Sequence, residues 1–229
     1  MAMQERAIRT RQAILSAAAV VFEERGYQAA TINEILTAAD VTKGALYFHF
    51  QSKEHLAQGV LSAQDSDAYV PRACQVQQLV DMGMLHAHRL QTDPIVRAGV
   101  RLSLDQQALG LDRSGAFERW AESITQTLEA ACAQGELLPH VRPKETADVL
   151  VGSFAGIQAM SQALCNYQDL QYRISVMLRH VLPSVVLSSV LASVDLSDGR
   201  GERVFTELKE LRERDRQEPA AAAPGPLTR

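Results

Sequence analysis

Apolar residues recur along most of this chain at the three-and-four spacing of a helix with one buried face. Ile14, Ala17, Ala18, Val21 and Phe22 form the first such stripe and predict a helix from about Ala7 to Arg25. Gly26 follows where a left-handed C-terminal cap is wanted, and Tyr27 is then a core candidate. Thr31 and Glu34 have the spacing of a capping box, which opens a second helix with Ile32, Ile35 and Leu36 inward. Ala39–Asp40–Val41 reads as a tight turn. Thr42 is a good N-cap for a third helix reaching about Phe48. Phe50 breaks that register, and Ser52 caps a fourth helix expected to run to about Cys74, with Pro71 able to kink or end it.

The same pattern continues. Further helices are expected over about Ala73–Leu90, Pro94–Leu109, Ser114–Ala133 and Pro143–Tyr167. One more is expected from a cap at Asp169, through a kink at Pro183, to about Val194, and a last charged one over Gly201–Arg216. No segment alternates with the period of a strand, so the fold class is all-α. The expected organisation is an N-terminal three-helix helix-turn-helix domain over residues 1–52 and a larger helical ligand-binding and dimerisation domain over 53–216. Residues 217–229, rich in alanine and proline without apolar periodicity, read as a disordered tail.

Two short helices joined by a tight turn are the layout that puts one helix into the DNA major groove. Such docking needs polar side chains at the start of the second helix, here Thr42, Lys43 and Gly44. Lys43 can donate to guanine O6 and N7, and Gly44 lets the backbone come close to DNA. Tyr47, four residues after Lys43, shares its face. Thr31, His49 and Lys53 are candidate phosphate contacts. Phe48 and Phe50 are assigned to the core.

Charge qualifies this picture. The net charge is −4, and residues 1–60 hold six Lys/Arg against six Asp/Glu. Placement is better than the sum: three arginines (Arg6, Arg9, Arg11) lie in the first eleven residues, and both lysines of this region lie in or just after the candidate recognition helix. Three scattered cysteines argue against a disulfide framework or a zinc site. With no secretory signal and no apolar run long enough to span a bilayer, a cytoplasmic protein without membrane association is expected. A Gly-rich phosphate loop, a nucleophile elbow and a metal-ligand cluster are all missing, and His86 and His88, two apart on a helix, make a poor metal pair. No enzyme, metal or cofactor is expected.

Residues 8–60 resemble the TetR family of one-component repressors. The residues that carry the resemblance include Ile14, Phe22, Gly26, Tyr27, Thr31, Ile35, Val41, Lys43, Gly44, Leu46, Tyr47, His49, Phe50, Lys53 and Leu56. It implies an all-helical dimer that leaves its operator when a small ligand binds the C-terminal domain. The segments TKGALYFHFQSKEHLA, FERW (117–120), GELLPH (135–140) and ETADVLVGSFAGIQAMSQAL are similar to the actinobacterial γ-butyrolactone autoregulator receptors. That subgroup controls antibiotic production and development, and includes pseudo-receptors answering to antibiotics or butenolides.

The second resemblance implies a ligand pocket at Trp120, the one tryptophan, with Ile124 and Thr127 at i+4 and i+7. The alternative is an ordinary core tryptophan. On the helix from Pro143, a large apolar stripe containing Phe154 is assigned to core and pocket. A stripe of small residues, Gly152, Gly156, Ala159 and Ala163, is assigned to the dimer partner, as are Met177, Val181 and Val185 on the following helix. Gln64, Gln158 and Ser161 are candidate polar groups for a lactone carbonyl or hydroxyl, or else ordinary satisfied polar residues. The function expected is a homodimeric repressor released from double-stranded operator DNA by a small lipophilic ligand of butyrolactone or butenolide type, controlling secondary metabolism. The alternative is a repressor sensing an antibiotic or other lipophilic compound and controlling efflux or biosynthesis. A rival of another class is a ligand-binding protein with a vestigial helix-turn-helix.

Overall fold

A computed structural model describes the backbone of residues 2–64, 69–105, 111 and 114–217. Eleven α-helices occur among them: α1 (Ala2–Ala29), α2 (Ile32–Ala39), α3 (Lys43–His49), α4 (Lys53–Gln64), α5 (Gln75–Thr92), α6 (Pro94–Leu104), α7 (Ser114–Ala133), α8 (Pro143–Cys165), α9 (Leu170–Val181), α10 (Ser188–Leu191) and α11 (Arg200–Gln217). The described residues contain no strand beyond one isolated bridge, Leu137 to Val186.

The first core forms where α1 to α4 converge. Ile14, Phe22, Ile35, Leu46, Phe50 and Leu56 are fully buried there. Each such side chain contributes roughly 1.5–3 kcal/mol on burial. The local signals behave as their chemistry dictates. Thr31 and Glu34 close a reciprocal capping box at the start of α2. Asp40 takes the left-handed conformation (φ 51°) that ends α2, and its N–H donates to Leu36 and Thr37 carbonyls. Thr42 accepts from the Ala45 N–H at the start of α3. Gly26 has φ 74° and ψ 172°, so it kinks α1 without ending it, and one further turn runs to Ala29. Gly59 of α4 sits so close to the core that a Cβ there would stand 2.9 Å from Phe50 Cε1 and 3.0 Å from Leu15 Cδ2.

A second core lies between α5, α7, α8 and α9. Helix α6 belongs to both. Ala98 and Leu102 are buried in the first core, Val96 and Val100 in the second. Its cations reach the other way: Arg97 Nε pairs with Glu23 Oε1 at 2.5 Å, and Arg101 donates to the Glu23 carbonyl next to the Gly26 kink. The first core therefore extends past residue 52 into α4 and α6.

Several expected boundaries differ. Helix α4 is described to Gln64, and Val70 to Cys74 are not helical, so the helix does not reach Cys74 as expected. Helix α6 ends at Leu104, and the expected extension to Leu109 falls largely on residues 106–110, outside the described residues. The single kinked helix expected over 169–194 is broken into α9, a 3-10 turn and α10. The backbone there pairs elsewhere: the Val185 carbonyl accepts from Leu138 and the Leu187 N–H donates to Glu136. Asp169 does not cap α9 with its side chain; its carboxylate is held by Ser161 and Arg173, both at 2.7 Å. The expected tail lies outside the described residues from 218 onward.

Helix α11 packs back on α5 over a buried charge cluster. Asp81, 1% exposed, accepts from both Arg72 and Arg200, and Arg72 also pairs with Glu207. Gly201 is the point of closest approach, since a Cβ there would collide with the Met84 carbonyl oxygen and Gln171 Oε1. Gly201→Ala is therefore expected to detach α11. Limited proteolysis should cut the variant within α11 under conditions that leave the parent chain whole; equal protection would contradict the packing. Lys53 tests the first core. Its ammonium donates to the carbonyls of Tyr27 (2.8 Å), Gln28 (3.3 Å) and Ala30 (3.1 Å) at the end of α1. Lys53→Met should lower stability by about 1–3 kcal/mol in urea unfolding, because carbonyls in two part-buried hydrogen bonds and one exposed one lose a charged donor.

Candidate functional site

The N-terminal head presents one continuous exposed face on α3. Thr42, Lys43, Gly44 and Tyr47 are exposed, while Leu46 and Phe50 turn inward. The Lys43 ammonium lies 5.9 Å from the centre of the Tyr47 ring, a cation–π distance that aligns the two on one side of the helix. No atom lies within 4 Å of where a Gly44 Cβ would be, so this backbone is open to close approach. Phe48 corrects the expectation of a core aromatic: it is 80% exposed, its ring edge-on to His49 at 5.0 Å. It follows Tyr47 on the outer side of α3, where it leaves an apolar ring exposed.

The phosphate candidates fare differently. His49 is half-buried beside Phe48. The Thr31 hydroxyl is engaged with Glu34, whose carboxyl is held below its usual range chiefly by that hydrogen bond. Lys53 spends its three donors on the α1 carbonyls and lies over the Tyr27 ring at 4.6 Å, so it holds α4 against α1. This role joins residues 23 to 26 positions apart, and no local pattern in the sequence signals it.

The second core contains a cavity of about 810 Å³, its open mouth included. Phe117, Trp120 and Ile124 of α7 and Phe154 and Gln158 of α8 line it. Helix α5 contributes Leu79, Met82, Gly83 and His86, and α6 contributes Val100, Ser103 and Leu104. The sequence marks His86 only as half of a poor metal pair. It sits between two rings, 4.9 Å from Trp120 and 5.3 Å from Phe154. Burial, and secondarily the charge of Arg89, push its pKa down to about 3, so the imidazole is neutral near pH 7. The signal that could have found it is the spacing of Leu79, Met82 and His86 on one face of α5.

Of the expected ligand residues, Trp120, Ile124, Phe154 and Gln158 are brought together. Thr127 and Ser161 are not. Thr127 shares the Trp120 face but lies two turns away, roughly 10 Å along the axis, and its hydroxyl bonds to the Ser123 carbonyl. Ser161 is fully buried and donates to Asp169. The side chain of Gln64 lies outside the described residues. Met177, expected at a dimer contact, lines the cavity instead. Val181 and Val185 are half-buried against the second core. Gly152, Gly156, Ala159 and Ala163 are all exposed, on a face of α8 shared with exposed Val149, Met160 and Leu164.

Among the described residues no group of His, Cys, Asp and Glu could hold a metal ion, and no helix is long and apolar enough to cross a membrane.

Residues 14–60 match the model for bacterial regulatory proteins of the tetR family. The A-factor receptor protein of Streptomyces griseus is 39% identical over 224 residues, covering 97% of this chain and 80% of the relative. The crystal structure of TylP, a TetR regulator from Streptomyces fradiae, superposes with a TM-score of 0.81 at 43% identity, covering 91% of this chain and 93% of that one. A γ-butyrolactone receptor, described as an ArpA-like protein, superposes with a TM-score of 0.63 at 27% identity, covering 91% and 99%. With its DNA-reading head and nearly its whole length matched, the chain belongs to the tetR family of bacterial regulatory proteins.

Proposed function

We propose that this DNA-binding repressor works as a homodimer whose hold on a pseudo-palindromic operator is released by a γ-butyrolactone- or butenolide-type ligand, in the control of secondary metabolism. The observation that carries the reading is the cavity at Trp120 and its connection, through α6, to the reading head. The similarity to the A-factor receptor over nearly the whole chain supports the ligand class.

Recognition needs two heads. Dimers of helix-turn-helix proteins present their recognition helices to successive major-groove faces about 34–36 Å apart. The exposed stripe on α8, with Val149 57% and Leu164 67% exposed, is the surface we assign to the partner, together with exposed Tyr172 on α9. Small residues at 152, 156, 159 and 163 allow a second helix to come close.

Release follows from the two faces of α6. A ligand in the cavity bears on Val100, Ser103 and Leu104. Close-packed interiors transmit such displacement instead of absorbing it. The opposite face carries Ala98 and Leu102 into the first core, and Arg97 and Arg101 grip α1. A shift of α6 thus moves the head and spoils the spacing of the pair. The coupling required is modest, typically about 1–3 kcal/mol.

Two outcomes test the reading. Lys43→Ala should weaken operator binding by about 1–3 kcal/mol in a gel shift, with dimer mass and melting temperature unchanged; unaltered affinity would remove Lys43 from the reading face. Butyrolactones and butenolides titrated into the protein–operator complex should release the DNA while changing Trp120 fluorescence. Release by an antibiotic with no response to any lactone would favour the alternative ligand class.

A further inference from the structure

Two polar side chains in the cavity wall have no hydrogen-bond partner among the described residues. His86 is 8% exposed and Gln158 6% exposed, and both line the cavity wall. Neither makes a hydrogen bond within the described structure. A buried polar group left without a partner costs free energy, and native proteins retain very few. Elsewhere Ser161 is satisfied by Asp169, Ser175 by the Leu196 carbonyl and Gln91 by the Tyr167 carbonyl; the enclosed atoms without a partner, Gln78 Nε2 and Gln171 Oε1, belong to residues that do not line the cavity. His86 and Gln158 are therefore left open toward the space they line.

From this we infer that His86 and Gln158 are the pair that reads the polar groups of the ligand, and that the ligand is an uncharged amphiphile carrying both a hydrogen-bond acceptor and a donor. The inference rests on the cavity being the ligand site, and sharpens that reading to two specificity-determining residues. A neutral imidazole offers one donor and one acceptor, and a carboxamide offers two donors and an acceptor. The two come from different helices, α5 and α8, and the rings of Trp120 and Phe154 flank His86. Those rings suit a flat or chain-like apolar body lying against them.

Charge is excluded by the same wall. None of the described residues lining the cavity is an Asp, Glu, Lys or Arg. A carboxylate or an ammonium entering it would lose its hydration with no counter-charge to replace it. His86 cannot serve as that counter-charge, because burial keeps it neutral. Gly83, three residues before His86 on α5, completes the site: a Cβ there would meet nothing within 4 Å, so its place is open space next to the imidazole.

A matched set of ten-carbon probes tests this: γ-decalactone, decanol, decanoate and decylammonium, titrated against the full-length protein with Trp120 fluorescence as the signal. At least one neutral probe should bind at least tenfold more tightly than either ion. His86→Phe keeps the ring packing and Gln158→Leu keeps the volume; each should weaken the neutral probe about fivefold or more, with melting curves checking the fold. Gly83→Leu should abolish binding by filling the cavity. Ions binding within threefold of the neutral probes would overturn the inference, as would folded His86→Phe and Gln158→Leu variants that bind like the parent. Decanol binding without the lactone would count against the lactone reading and support the inference. Binding unaffected by Gly83→Leu, or no binding of either neutral probe, would sink the cavity as the ligand site and the inference with it.

Discussion

Helix α6 is the element on which the molecule depends, because eleven residues serve two cores at once. Its buried positions divide between them, Ala98 and Leu102 toward the head and Val96 and Val100 toward the sensing core. Its two arginines fasten it to α1 around Glu23, at the kink that Gly26 makes possible. Helix α4 packs against α6 as well. The head is thus not suspended from one connecting helix. It is seated on a short rod whose far side forms part of the cavity at Trp120.

Much of the head was legible in the sequence because its signals are local. A capping box, a turn aspartate and an N-cap threonine act within four residues, and each does what its chemistry predicts. Phe48 was misread because two aromatic neighbours of a core position look alike in a list. Helix geometry separates them: Phe48 lies two residues, roughly 200°, beyond buried Leu46, and so points outward. Lys53 was legible only as a cation near DNA. Its three carbonyl partners come from the end of α1 and depend on tertiary packing.

The sensing half was legible as helices and less so as a site. Trp120 and Phe154 drew attention as large aromatic residues, and both line the cavity. Periodicity then overreached along the helix axis, since Thr127 and Ser161 share a face with cavity residues but lie beyond its end. The sequence offers His86 only as half of a poor metal pair with His88. Its spacing with Leu79 and Met82 marks a face of α5, but its place between two rings in the cavity wall, with no hydrogen-bond partner among the described residues, depends on tertiary packing. The acidic chain also makes sense in three dimensions: Asp81 and Glu207 are taken up in a cluster with Arg72 and Arg200 under α11, far along the chain from the reading face.

The central claim is that ligand and operator both act on α6. Hydrogen exchange of the α6 amides, followed by mass spectrometry in the free protein, with a saturating cavity ligand and with operator DNA, tests it most directly. The account predicts that both additions change protection in α6 and in the part of α1 around Glu23 that it grips, and that the changes differ between the two. Protection in α6 that stays the same in all three states, while both ligands are bound, would contradict it.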